Sequence, residues 1–165
     1  MMTAPMDPLK FRQALGRFTT GICIATTTRP CGAPVGLTIN SFNSVSLDPP
    51  LVLWSIGKNT ASRPDFDLTD RFAINVLARD QKQVSDIFAR PGDKFANVNW
   101  QPGKTGVPVI GGSIATFECR MSSRHEGGDH IIMIGEVEHF DQADGHPLLY
   151  VDGSYGVAHP YSEAV

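Results

Sequence analysis

Residues 34–53 are PVGLTINSFNSVSLDPPLVL. The stretch opens as a strand, Pro34 to Ile39, and then breaks into short polar side chains. Thr38, Asn40, Ser41, Asn43, Ser44 and Ser46 fall close together, interrupted mainly by Phe42 and Val45. Asp48-Pro49-Pro50 halts regular structure, and an apolar strand, Leu51 to Ile56, follows at once. Small hydroxyl and amide side chains framed by buried strands let a ligand approach the main chain, and they offer it both donors and acceptors. The stretch reads as the lining for a flat, polar-edged small molecule.

Outward from it, the chain reads as one unit, residues 1–165, without linker, repeat or low-complexity tract. Asp7-Pro8 predicts a helix start, and Leu9, Phe11, Leu15 and Phe18 fall near one face of that helix. Gly21 to Thr28 is β-branched and predicts a strand, joined to the next by the turn residues Arg29-Pro30-Cys31-Gly32. Strands at Leu51–Ile56 and Phe72–Leu77 flank a short helix with Thr60 as its expected cap. Asp80 and Gln83 resemble a capping box for a second helix, Gln81 to Arg90, which Pro91-Gly92 ends. From Val107 onward the pattern is mostly strand, with turns at Gly127-Gly128-Asp129 and Asp144-Gly145. Many short strands and few helices predict a mainly β fold, a barrel with peripheral helices.

Composition excludes several functions. With 14 basic and 17 acidic residues the formal charge is −3, and no like-charge run forms a nucleic-acid surface. Apolar stretches fall far short of the about 20 residues of a membrane helix. The opening MMTAPMDPLK has no signal-peptide core, which points to the cytoplasm. Cys23, Cys31 and Cys119 are odd in number and widely spaced, as in a reducing compartment. Gly103-Lys104-Thr105 lacks the earlier glycine of a phosphate loop, since Val98 stands there. No GxGxxG opens a helix, and no GxSxG elbow is present. The histidines at 125, 130, 139, 146 and 159 show no zinc spacing, so no metal is expected. With no conventional nucleophile, either the protein only binds a ligand or a cofactor carries the chemistry.

Two further stretches suit a cofactor. Gly57-Lys58-Asn59-Thr60-Ala61-Ser62-Arg63 joins a strand end to a helix start and combines polar side chains with two cations, an arrangement suited to an anion. Asp93-Lys94-Phe95 offers one more cation and an aromatic wall, or else a surface turn whose Phe enters the core. Gly127-Gly128-Asp129-His130 leads into the strand IIMIGEVEHF, where Asp129 is placed to orient His130. A phosphate at one end and a polar-rimmed ring at the other would suit flavin mononucleotide.

In order and spacing these blocks resemble the flavin reductase-like family, the reductase components that supply reduced flavin to two-component monooxygenases. The resemblance runs through LGRFTTGICIATTT (15–28), the 34–56 stretch, FAINVLARDQ (72–81) and DKF (93–95). It continues through IATFEC (114–119), GDHIIMIGEV (128–137) and PLLYVDGSYG (147–156). It implies a six-stranded Greek-key split β-barrel that binds FMN, with peripheral helices, working as a homodimer. It also implies hydride transfer from NADH or NADPH to the N5 atom of FMN or FAD.

By position, the resemblance places Thr38, Asn40 and Ser41 at the isoalloxazine ring, with Ile39 and Ser55 as further cofactor-binding residues. Lys58, Asn59, Thr60 and Ser62 would hold the phosphate, with Lys94 and Phe95 nearby. His130 would be the catalytic position that contacts the nicotinamide nucleotide, with Gly153 and Tyr155 beside it. Arg29 and Arg124 are the arginines able to meet a 2′-phosphate, or are surface charges. Three readings stay open: a reductase releasing reduced flavin to an oxygenase, a protein with tightly held flavin passing electrons to another acceptor, and a non-enzymatic flavin binder.

Overall fold

In the computed structural model, which describes residues 6–159 and 161, the first helix is α1 (Pro8–Gly16). It begins as the sequence requires. The Asp7 carboxylate accepts from the Leu9 and Lys10 N–H groups at 2.9 and 3.4 Å, and Pro8 sits in the first turn, where no N–H is needed. Its apolar side chains do not enter the core. Leu9, Phe11 and Leu15 are exposed, and Phe18 just beyond is 75 % exposed. Residues 1–5, part of both the whole-chain reading and the leader reading, lie outside the described residues, as do 160 and 162–165.

After β1 (Thr20–Gly21), β2 (Cys23–Thr28) and β3 (Pro34–Ile39) form the expected hairpin, with Gly32 at φ 86° in its turn. β2 is buried along its length because both faces are covered. Cys23 and Ala25 enter one apolar cluster while Ile24 enters another. The polar run then departs from the sequence reading. Residues Asn43–Leu47 are a strand, β4, paired antiparallel with β5 (Pro50–Gly57) through a bulge at Val45. Its Asn and Ser side chains carry no strand pattern, and main-chain pairing with β5 makes the strand. β5 itself alternates, sending Val52, Trp54 and Ile56 inward.

The remaining elements are α2 (Arg63–Asp67), β6 (Arg71–Val76), α3 (Lys82–Phe88), β7 (Trp100–Pro102), β8 (Pro108–Ile110), β9 (Ala115–Gly127), β10 (His130–Gln142), β11 (Leu148–Val151) and β12 (Ser154–Val157). The main sheet is antiparallel, in the order β3-β2-β6-β9-β10-β5-β4. The six expected barrel strands are therefore joined by a seventh, the edge strand β4. A flat sheet of this size would hold its outer strands about 29 Å apart, at about 4.8 Å per strand. Yet β3 and β4 lie at its two ends and are linked by residues 40–42 alone. That link spans at most about 14 Å, so the sheet curls on itself. Ser41 fastens the split: its Oγ donates to Ser55 O at 3.2 Å and accepts from Ser55 N–H at 2.9 Å. Val35 and Ile39 thereby pack with Trp54 and Ile56 in one barrel core. A second cluster, built on Ile24, Leu77, Phe88 and Leu148, seats α3 and the small sheet β1-β11-β12 outside the barrel.

Both expected helix caps are corrected. α2 starts at Arg63 with Ser62, not Thr60, at its cap position, and no side chain caps it. α3 starts at Lys82 after Gln81 and has no Asp80 cap. The Gln81 side chain instead accepts from Ala78 N–H at 3.0 Å and donates to Gly111 O at 2.8 Å, which ties two loops together.

The Gly103-Lys104-Thr105 loop holds an anion of the chain's own. The Glu118 carboxylate, 6 % exposed, accepts from the Lys104 and Thr105 N–H groups at 3.0 and 2.7 Å and from Thr105 Oγ1 at 2.6 Å. Burial pushes its pKa up, but these donors outweigh burial and hold it below the usual value. Stability from Glu118 is thus complete above the ordinary carboxylate range and lost as pH falls through the lowered native value. Glu118→Gln is expected to lower stability at neutral pH and to flatten its decline in acid, as read by denaturant unfolding across pH. An unchanged acid slope would contradict this.

Candidate functional site

The ring-lining residues fall on β3, its exit and β5. Thr38 Oγ1 donates to the α3 carbonyl of Ser85 at 2.7 Å, so toward a ligand it offers lone pairs only. The close approach depends on Gly36, where a Cβ would stand 2.6 Å from Phe88 Cε1. Ser41 spends its one proton on Ser55 O and is likewise an acceptor toward anything else. Ile39 is buried in the barrel core and has only its main chain to give. Asn40 is exposed. It lines a cleft of about 290 Å³ with Thr20, Gly153 and Tyr150, against Leu15 and Phe18 of the N-terminal segment. Thr20 Oγ1 is buried with no hydrogen-bond partner there.

The anion-binding stretch meets the tip of the β9–β10 hairpin. Gly57 pairs with His130 across the sheet, Lys58 N–H donates to Asp129 O at 2.9 Å, and Thr60 N–H donates to Gly57 O at 3.0 Å. A Cβ on Gly57 would lie 3.1 Å from Thr60 Oγ1 and 3.7 Å from His130 Nε2, so the three residues converge. His130 Nδ1 lies 2.8 Å from Asp129 Oδ1. That hydrogen bond, the charge of His130 and, more weakly, Lys58 hold the Asp129 carboxyl below its usual pKa. An ionised carboxylate only accepts, so Nδ1 carries the proton and Nε2 faces Gly57 and Thr60. Lys58 Nζ forms an ion pair with Glu126, and Asn59 is exposed. The five residues of α2 make too short a helix for a strong dipole, so any anion here is held by side chains and loop N–H groups.

Ser62, at the end of that segment, also lines a cleft of about 560 Å³ with Lys94, Phe95, Arg29 and Gly36. Lys94, expected as one more cation, has its Nζ donating to the carbonyls of Gly36 and Phe88 at 3.1 and 3.0 Å, and burial lowers its pKa. Phe95 packs edge-on against Phe88 and Trp100, with centroids 4.9 and 5.3 Å away, so its ring belongs to the outer core. Arg29 is forked by Asp65 at 2.9 and 3.0 Å, and Arg124 donates to the carbonyls of Phe66 and Thr69 at 3.0 and 2.8 Å. Both guanidinium groups therefore already have partners within the chain.

Sequence reasoning missed the α3 contribution. Tyr155 OH lies 2.9 Å from Ser85 Oγ and donates to Asp86 Oδ1 at 3.1 Å, while Lys82 sits over the Tyr155 ring at 4.9 Å. This chain links Tyr155 to Thr38 through Ser85. Its helical residues resemble any solvated helix face, and only the docking of α3 on β3 reveals them. Of the three cysteines Cys31 is exposed. Cys23 and Cys119 are buried, and burial pushes both thiols up to about 12. Among the described residues no three His, Cys, Asp or Glu side chains gather as metal ligands.

Residues 15–159 match the family described as "Flavin reductase like domain". The chain is 49% identical over 146 residues to "FMN reductase (NADH) SmoA" of Agrobacterium fabrum, covering 88% of this chain and 83% of that protein. It is 41% identical over 158 residues to "Flavin-dependent monooxygenase, reductase subunit HsaB" of Mycobacterium tuberculosis, covering 93% and 84%. The solved structure of the Streptomyces globisporus NADH:FAD oxidoreductase SgcE6, in complex with NAD and FAD fragments, superposes with a TM-score of 0.91 at 34% identity over 99% of both chains. Some relatives are longer, and the chain spans 50% of a probable flavin reductase of Rhizobium meliloti. The barrel that these structures share, with few helices, is the fold described above. By family match and by these identities, the chain belongs to the flavin reductase-like family.

Proposed function

We infer that this chain catalyses the reduction of flavin by NADH and supplies the reduced flavin to a partner oxygenase. The observation that carries this reading is the convergence of Gly57, Thr60 and the oriented His130, with Lys58 N–H on Asp129 O, at the end of the strand whose Ser55 holds Ser41. The donor set fits a flavin. Thr38 and Ser41 present lone pairs suited to a ring N–H, and Lys58, Asn59, Thr60 and Ser62 bring one cation and several donors suited to a phosphate. Bound there, the flavin supplies the atom that accepts hydride. The chain's own residues bind and orient. The Ser85 carbonyl fixes the Thr38 hydroxyl, Ser55 fixes Ser41, and Asp129 fixes the His130 ring so that Nε2 is presented toward the nicotinamide nucleotide.

The engaged Arg29 and Arg124 favour NADH over NADPH, in keeping with the names of the FMN reductase (NADH) and NADH:FAD oxidoreductase relatives. Residues 1–165 act as one domain. The chain works as a homodimer, which would cover the exposed Leu9, Phe11, Leu15 and Phe18. Its place is the cytoplasm, in keeping with three unpaired cysteines, and among the described residues no helix is long and apolar enough to cross a membrane.

Nicotinamide absorbance, followed with NADH or NADPH and with FMN or FAD, tests the reading. Consumption of NADH that requires added flavin, with NADPH much poorer, is expected. NADH consumption indifferent to flavin, or no consumption at all, would refute it.

A further inference from the structure

Apart from Lys94, which two carbonyls hold, the cations around the proposed phosphate segment are already matched by carboxylates of the same chain. Lys58, where β5 ends, is paired with Glu126 on β9, and Asp129 lies close enough for Lys58 to help hold its carboxyl ionised. Farther along, Arg63 faces Asp67 at 3.0 Å, and Arg29 is taken by Asp65. A phosphate entering beside Lys58 therefore meets no surplus of positive charge.

We propose that Glu126 sets the flavin affinity of this site by competing with the ligand's phosphate for Lys58, which keeps the flavin exchanging with solvent as a substrate. The proposal rests on the reading of Lys58–Ser62 as the phosphate-holding segment. A lysine ammonium is a compact point charge with three donors, and a dianionic phosphate must share or displace the carboxylate already there. Displacement is feasible because the pair is open to water: the side chains of Lys58 and Glu126 are 36% and 74% exposed, and ion pairs of that kind are weak. The competition nevertheless subtracts from the affinity of every phosphorylated ligand, and the nearby Asp129 adds repulsion of the same sign.

The test titrates FMN and riboflavin, which lacks the phosphate, into the wild type, Glu126→Gln, Lys58→Met and the double variant. Glu126→Gln is expected to bind FMN about fivefold tighter, with riboflavin unchanged. Lys58→Met is expected to weaken FMN alone, and adding Glu126→Gln to it should bring much less tightening than Glu126→Gln brings to the wild type. If Lys58→Met weakens FMN while Glu126→Gln leaves it unchanged, the competition is overturned and the phosphate segment stands. If Glu126→Gln tightens riboflavin as much as FMN, the competition is again overturned. If Lys58→Met leaves FMN binding unchanged, the segment itself is misassigned and the proposal falls with it.

Discussion

Trp54→Ala is expected to destabilise the protein by about 3–5 kcal/mol, the cost of emptying an aromatic site in a packed core. Trp54 is fully buried at the centre of β5 and meets Phe66 and Phe72 edge-on, at centroid distances of 5.0 and 5.8 Å. These rings come from α2 and β6, so one side chain joins the strand that carries Ser55 and Gly57 to two other elements of the barrel. A loss of that size is a large share of the about 5–15 kcal/mol that holds an ordinary domain together. Trp54→Phe should cost far less. It keeps an aromatic ring and removes an indole Nε1–H that is buried without a partner. Denaturant unfolding of both variants checks the pair, and equal losses would contradict the packing argument.

His130→Ala is expected to lower kcat/KM for NADH about 10–100-fold, the scale of a hydrogen bond to a charged group lost from the productive complex. The loss should leave FMN binding intact, because the proposed flavin contacts come from β3, β5 and the 58–62 segment. Asp129→Asn should produce a smaller loss of the same kind: the amide oxygen still accepts from Nδ1–H at the 2.8 Å position, without the charge. Initial rates across NADH concentration, together with an FMN titration, decide this. An unchanged NADH dependence in His130→Ala would remove His130 from the site.

The strands were legible where side chains alternate or turn residues punctuate them. β5, with Val52, Trp54 and Ile56 inward, and the Gly127–Asp129 hairpin tip are such places. β4 was not legible, because an edge strand of Asn and Ser is made by its partner's main chain and not by its own side chains. The apolar face of α1 was visible, but a single chain leaves it uncovered. In the site, residues close in sequence were the easier part: Asp129 beside His130, and Lys58 near Thr60. Contacts across the fold were hidden. Thr38 reaches Ser85 over 47 residues, Lys58 meets Glu126, and Lys94 turns back onto two carbonyls, all products of docking that no local pattern encodes.

The most direct test of the reductase reading counts the NADH consumed per chain in anaerobic solution with a large excess of free FMN. If flavin passes through the site as a substrate, consumption continues through many turnovers until the FMN is reduced. Consumption that stops at one equivalent per chain would mean a resident flavin that is not released, and would contradict the account.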